Sequence, residues 1–175
     1  MSDHLNPDDV QQALADGRPV REHGPYRVQI GDEQLAYRPG LIQDPVPTGR
    51  QVLEAAGVHP VVEYSVFQVL QNGQLEGLRL DETTDLRTRG VEKFLIFHSD
   101  RSFRLDVDGV VFDWGTSRIC GRVLKVLAKV DLTTYGVWQE IPGKDDLAIG
   151  DEQFADLAAN GVERFFTGIV KTTEG

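Results

Sequence analysis

The sequence predicts an α+β protein made of two tandem units, each a mixed sheet packed on one helix. Three observations predict it. The chain contains a long internal repeat. Within each copy, period-two alternation gives way once to helical spacing and then returns. Turn residues fall between those runs and not inside them.

The repeat is found by direct comparison, which comes first because a missed repeat misreads the whole fold. Asp85-Leu86 with Gly90-Val91-Glu92-Lys93-Phe94 recurs as Asp156-Leu157 with Gly161-Val162-Glu163-Arg164-Phe165, displaced by 71 residues. Tyr64-Ser65-Val66-Phe67-Gln68 recurs as Tyr135-Gly136-Val137-Trp138-Gln139 at the same displacement. Gly49-Arg50 matches Gly121-Arg122 at 72, and Tyr26-Arg27-Val28 matches Phe103-Arg104-Leu105 at 77. The displacement changes only between blocks, which suggests loop insertions, with about five extra residues in the first copy around Pro39 to Pro47. The expected organisation is an N-terminal segment 1–23, a first domain 24–98, a second domain 99–170 and a flexible tail 171–175.

In the second copy Phe103, Leu105 and Val107 alternate with Arg104, Asp106 and Asp108, as a half-buried strand does. Asp108-Gly109 is a strong hairpin signal, and Val110 to Trp114 is the returning strand. Val123, Val126, Leu127 and Val130 share one helical face. Tyr135 to Ile141 is β-rich, Pro142-Gly143-Lys144-Asp145 is a turn, Leu147 to Ile149 is a short strand, and Val162 to Val170 is the last strand, interrupted by Gly168.

The first copy has the same order. Tyr26 to Ile30 and Gln34 to Tyr37 form its opening hairpin. Thr48 and Gln51 form a capping box, and Gly57 stops the helix. Tyr64 to Leu70, a turn at Asn72-Gly73, Leu78 to Leu80 and Val91 to Phe97 complete it. In each unit the first and last strands are expected to pair centrally. Units of roughly 70 residues have thin cores and little room for a buried active site.

Ahead of the units, Asn6 at N-cap, Pro7 at the first helical position, and Asp8 and Asp9 in the first turn predict a short helix, Val10 to Ala15, ended by Gly17. It is expected to be partly ordered or to wait for a partner.

Composition excludes several function classes. The 18 basic and 28 acidic side chains leave a formal charge of −10. Phosphate binding and attraction to anionic lipid both require a cationic surface, so neither nucleic acid nor membrane is expected as a partner. A single cysteine, Cys120, excludes an intrachain disulfide and fits a reducing compartment. There is no secretory signal at the N-terminus and no membrane-span pattern, so a soluble cytoplasmic protein is expected.

Enzyme motifs are wanting. Gly143-Lys144 lacks the glycine spacing and the following hydroxyl of a phosphate loop. His4, His23, His59 and His98 are too scattered for metal-ligand spacing. Asp145-Asp146 and Asp106 with Asp108 are read as solvated carboxylates. Cys120, placed by the repeat where Thr48 stands, is read as structural at a helix N-cap, with no base near it in sequence. Trp114, Trp138, Phe112, Phe67 and Phe94, without interleaved basic residues, are read as core.

The C-terminus carries the strongest functional signal. Lys171-Thr172-Thr173-Glu174-Gly175 is polar, lacks an apolar anchor and ends in glycine. Lacking a Cβ, a terminal glycine can enter a narrow channel. Its carboxylate can be adenylated, passed to a thiol and attacked by an amine.

The two copies resemble the tandem β-grasp repeats of the bacterial multiubiquitin family. The resemblance is carried by Tyr135-Gly-Val-Trp-Gln-Glu-Ile-Pro-Gly-Lys-Asp-Asp, by Asp156-Leu with Gly161-Val-Glu-Arg-Phe-Phe-Thr, and by Phe103-Arg to Asp108-Gly with Phe112-Asp-Trp. It implies one ubiquitin-like fold per copy. It implies a protein modifier whose Gly175 is conjugated, with Lys171, Thr172, Thr173 and Glu174 as the tail that threads into partner enzymes.

The implied partners are activating-like and conjugating-like enzymes, a deubiquitinase-like metallopeptidase and a target protein; some such systems act in defence against phage. No cofactor of its own and no catalytic residue are implied. Only the second copy carries the tail, so the two domains are expected to act as one modifier, joined by a linker short enough to restrict them. Lys93, Lys125, Lys129, Lys144 and Lys171 are the available amines. The competing reading is a non-covalent scaffold of β-grasp modules that self-associates through its N-terminal segment. A sulfur carrier and an enzyme proper rank below these.

Overall fold

The computed structural model describes residues 6–159 and 161–170. The chain divides into two compact units between Arg101 and Ser102. In each, the first and last strands of the repeat pair at the centre of a mixed sheet, as expected, and the pairing is parallel.

The first unit runs β1 (Asp8–Asp9), α1 (Val10–Asp16), β2 (Tyr26–Gly31), β3 (Arg38–Ile42), α2 (Gly49–Ala55), β4 (Ser65–Val69), β5 (Leu75–Leu78) and β6 (Lys93–Phe97). β2 pairs with β6 in parallel and with β3 antiparallel, and β4 lies antiparallel between β6 and β5. Tyr26, Val28 and Ile30 turn inward against Val52 and Leu53 of α2 and against Phe94; all are buried in one core. Thr48 and Gln51 form the expected capping box, with both reciprocal bonds present.

The second unit runs β7 (Phe103–Val107), β8 (Val110–Trp114), β9 (Arg118–Cys120), α3 (Gly121–Leu127), β10 (Tyr135–Gln139), β11 (Leu147–Ile149), β12 (Phe154–Asp156) and β13 (Glu163–Ile169). Its sheet has the order β11-β10-β13-β7-β8, with β13 and β7 parallel. The hairpin at Asp108-Gly109 has both residues at positive φ, 53° and 84°, as a two-residue turn between twisted strands requires.

Several expectations are corrected. The N-terminal helix begins after Asp9, whose side chain accepts from the Gln12 N–H, and not after Asn6. The cause is β1: Asp8 and Asp9 are extended because they pair in parallel with Tyr26 and Arg27. Nor does this helix wait for a partner, since Val10 and Ala13 are fully buried in the first unit's own core.

The extra residues of the first copy lie in the hairpin loop. Ile30 pairs with Arg38, whereas its counterpart Val107 pairs with Val110. The segment expected as a strand, Gln34 to Tyr37, is part of that loop. Asp32 holds it by accepting from the N–H groups of Gln34 and Ala36, and the strand follows at Arg38. Likewise β5 is Leu75–Leu78, ahead of the expected Leu78 to Leu80.

On α3, Leu124 takes the core position expected for Val126, which is exposed. A two-turn helix buries a narrow arc, here Val123, Leu124 and Leu127. Trp138 is not core either. Trp114, Phe112, Phe94 and Phe67 are buried, but Trp138 points to the outer face of its sheet and is half-buried.

Two three-residue strands, β9 and β12, were not legible in the sequence. They pair antiparallel, with Phe154 opposite Cys120. The first unit has the same bridge at the matching positions, Thr48 opposite Thr83.

The base of the C-terminal tail

The residues predicted to act, Lys171, Thr172, Thr173, Glu174 and Gly175, lie outside the described residues. The structure defines the platform from which they continue.

β13 is the central strand of the second sheet, held on one side by β10 and on the other by β7. Its exit is fixed on both flanks. The Val170 N–H donates to the Thr134 carbonyl at 2.8 Å. Asp108, read from sequence as merely solvated, binds the strand. Its carboxylate accepts from the Thr167 N–H at 2.8 Å and from the Thr167 hydroxyl at 2.6 Å, while its own N–H donates to the Phe165 carbonyl. The left-handed backbone at Asp108 aims the side chain back across β13, and Asp tolerates that conformation better than most residues.

The opposite flank is organised by Asp131. Its Oδ1 accepts from the hydroxyl and N–H of Thr133 and from the N–H and hydroxyl of Thr134. These bonds, led by the Thr133 hydroxyl, hold the carboxyl down to about 2. The loop is thereby set where the Thr134 carbonyl meets Val170.

Around this exit Leu132, Ile169 and Val170 are exposed, Ile169 at 69%. On the outer face of the sheet Trp138 and Phe166, a cross-strand pair, stack with ring centres 5.6 Å apart and planes at 14°. The next pair on that face is Gly136 opposite Gly168. A Cβ at Gly136 would lie 2.9 Å from the Trp138 ring and 2.8 Å from a Val170 methyl, so this glycine makes room for the indole. The matching residues of the first unit, Phe67 and Leu95, are buried.

The remaining candidates are placed as follows. Cys120 is the N-cap residue of α3, as the repeat predicts; it is buried and makes no side-chain capping bond. His98 stacks on Tyr64 and approaches Glu63 at 3.2 Å. Asp145 and Asp146 are exposed. Lys125, expected to be an available amine, is not one: its Nζ lies 2.6 Å from the Asp151 carboxylate and donates to the Leu132 carbonyl, with the side chain 8% exposed. Among the described residues, no group of three or more His, Cys, Asp or Glu side chains could hold a metal ion, and no helix is long and apolar enough to cross a membrane.

A match to a known family spans both units. The family model described as multiubiquitin matches residues 33–99 and again residues 103–168, well over half of the chain in total. No curated protein matches it.

Proposed function

The chain belongs to the multiubiquitin family, and from that premise we propose that it is a ubiquitin-like protein modifier, conjugated through Gly175 in a bacterial ubiquitination-like pathway of the kind that acts against phage. The observation that carries this reading is the match of both units, in tandem, to the multiubiquitin model. The anchored end of β13 supports it: Val170 and Thr167 are each tied to a neighbouring loop, so the five residues that follow start from a defined point.

The chemistry belongs to partner enzymes. The Gly175 carboxylate attacks the α-phosphate of ATP and displaces pyrophosphate. An enzyme thiolate then displaces AMP to form a thioester. A target amine attacks the thioester carbonyl, and the thiolate leaves. This chain supplies the acyl group and the surfaces by which the enzymes recognise it, and no catalytic residue of its own.

The test is a denaturing blot of N-terminally tagged chain in its native host, wild type beside the Gly175 deletion. Higher-mass adducts that survive reductant and require Gly175 are the expected result. A single unmodified band in both versions, under phage challenge as well, would overturn the proposal in favour of a non-covalent scaffold.

A further inference from the structure

The lysines differ sharply in access. Lys125 is buried in its ion pair with Asp151. Lys93 is half-buried, with its Nζ 5.4 Å from the centre of the Tyr37 ring and 3.9 Å from the Glu92 carboxylate. Lys129 is exposed, but contacts of its own engage it. Lys171 lies outside the described residues. Lys144 is different. It is exposed within an exposed turn, Pro142 to Asp146, and among the described residues its side chain has no ion-pair or hydrogen-bond partner. The turn itself is well defined. The Lys144 N–H donates to the Ile141 carbonyl, Gly143 supplies a φ of 74°, and the flanking strands are in register with Gln139 opposite Leu147.

We propose that Lys144 is the acceptor amine of this chain, the point at which the Gly175 of a second copy is attached; this rests on the conjugation reading above. In the step the ε-amine, having given up its proton, attacks the Gly175 thioester carbonyl. A C–N bond forms, the C–S bond breaks, and the thiol stays on the enzyme. The amine's proton passes to solvent or to a base on the conjugating enzyme.

The acceptor turn and the end of β13 lie at opposite ends of the sheet. β10 and β13 are antiparallel, so the turn that follows β10 lies beside the start of β13, with the Glu140 N–H on the Arg164 carbonyl, while β13 ends beside Tyr135. Six residue steps of β13 separate the two ends by about 20 Å.

The experiment uses the full-length tagged chain in its native host. Trypsin cuts after Lys171, so a conjugated lysine carries a Thr172-Thr173-Glu174-Gly175 remnant. The expected result is that remnant on Lys144 by mass spectrometry. Lys144→Arg, which keeps the charge, should abolish the bands at multiples of the chain's own mass and spare adducts to other proteins, whereas Lys129→Arg should leave both. Multiples that persist in Lys144→Arg, remnants on other lysines of the chain alone, or adducts to other proteins without multiples would overturn the assignment and leave the conjugation reading standing. Absence of every Gly175-dependent adduct from the wild type would overturn both.

Discussion

The α-carbon of Gly121 sits so close under the Gly150 carbonyl that a methyl group built on it would lie 2.3 Å from that oxygen. The first unit repeats the relationship: a Cβ on Gly49 would lie 2.4 Å from the Arg79 carbonyl oxygen. In both units the loop that makes this approach also binds the start of the helix. Gly121 and Arg122 donate to Gln153 and Asp151, as Gly49 and Arg50 donate to Glu82 and Leu80. The loop carbonyls thus satisfy N–H groups that a helix start otherwise leaves open. The repeated Gly-Arg dipeptide is the sequence trace of this contact.

Gly121→Ala should therefore destabilise the second unit by about 1–3 kcal/mol, since backbone must move to admit the methyl group. Gly77→Ala is the control. A Cβ there meets only ordinary contacts with Phe67 at 3.6 Å, and the change should stay within about 0.5 kcal/mol. Urea unfolding of both variants would show it; equal losses would refute the role given to Gly121.

Asp8 is 2% exposed, yet it bonds Arg18 at 2.7 Å and the Arg21 N–H at 2.8 Å. Burial alone would raise its pKa, but the Arg18 bond, the Arg21 N–H and the two guanidinium charges outweigh burial and hold it below the ordinary value. Its folded value being depressed, the stabilisation is complete above the unfolded value and is lost as pH falls through the folded one. Asp8→Ala should cost about 1–3 kcal/mol at neutral pH, less than breaking a fully buried pair because Arg18 stays solvated. The difference from wild type should shrink below roughly pH 4.

The Asp131 carboxyl, at about 2, should titrate in that range by carbon-detected NMR. Its support for the loop is present above the unfolded value and fades as pH falls toward 2. Thr133→Val removes the leading hydroxyl donor and should move the titration upward. An unchanged midpoint would contradict the assigned cause.

The two tryptophans should behave oppositely. Trp114 is fully buried and donates its indole N–H to the Arg118 carbonyl, so Trp114→Ala should cost about 3–5 kcal/mol. Trp138 loses a surface stack with Phe166, and Trp138→Ala should cost roughly 1–2 kcal/mol. In single-tryptophan variants, Trp138 should emit to the red and be quenched by iodide, and Trp114 should be shielded.

Much of the fold could be read without coordinates. The repeat, the hairpin at Asp108-Gly109, the capping box of Thr48 and Gln51, and the helix stop at Gly57 are local, and local rules decide them. The misses have a common origin in partners distant in sequence. Asp8 and Asp9 carry a helix-start signature, but a strand at Tyr26 draws them into extension. Gln34 to Tyr37 has strand-forming residues, but Asp32 closes a loop over them. Lys125 sits on a helix face that looks solvated until the loop carrying Asp151 folds against it. The tail's last two anchors were missed because Asp108 and Thr167 stand 59 positions apart, and no motif announces their bond.

The sequence by itself determined the number of units, the order of the main strands and the helix in each, and the central pairing of the repeat's first and last strands, because periodicity, turn chemistry and internal repetition act over a few residues or compare the chain with itself. Only the tertiary structure decided which amines and aromatics face solvent. Trp138 and its counterpart Phe67 occupy equivalent positions and differ in exposure, and Lys125 and Lys144 are the same residue type with opposite access. Exposure depends on what another segment brings to lie against a side chain, and that is settled only when the chain has closed its loops.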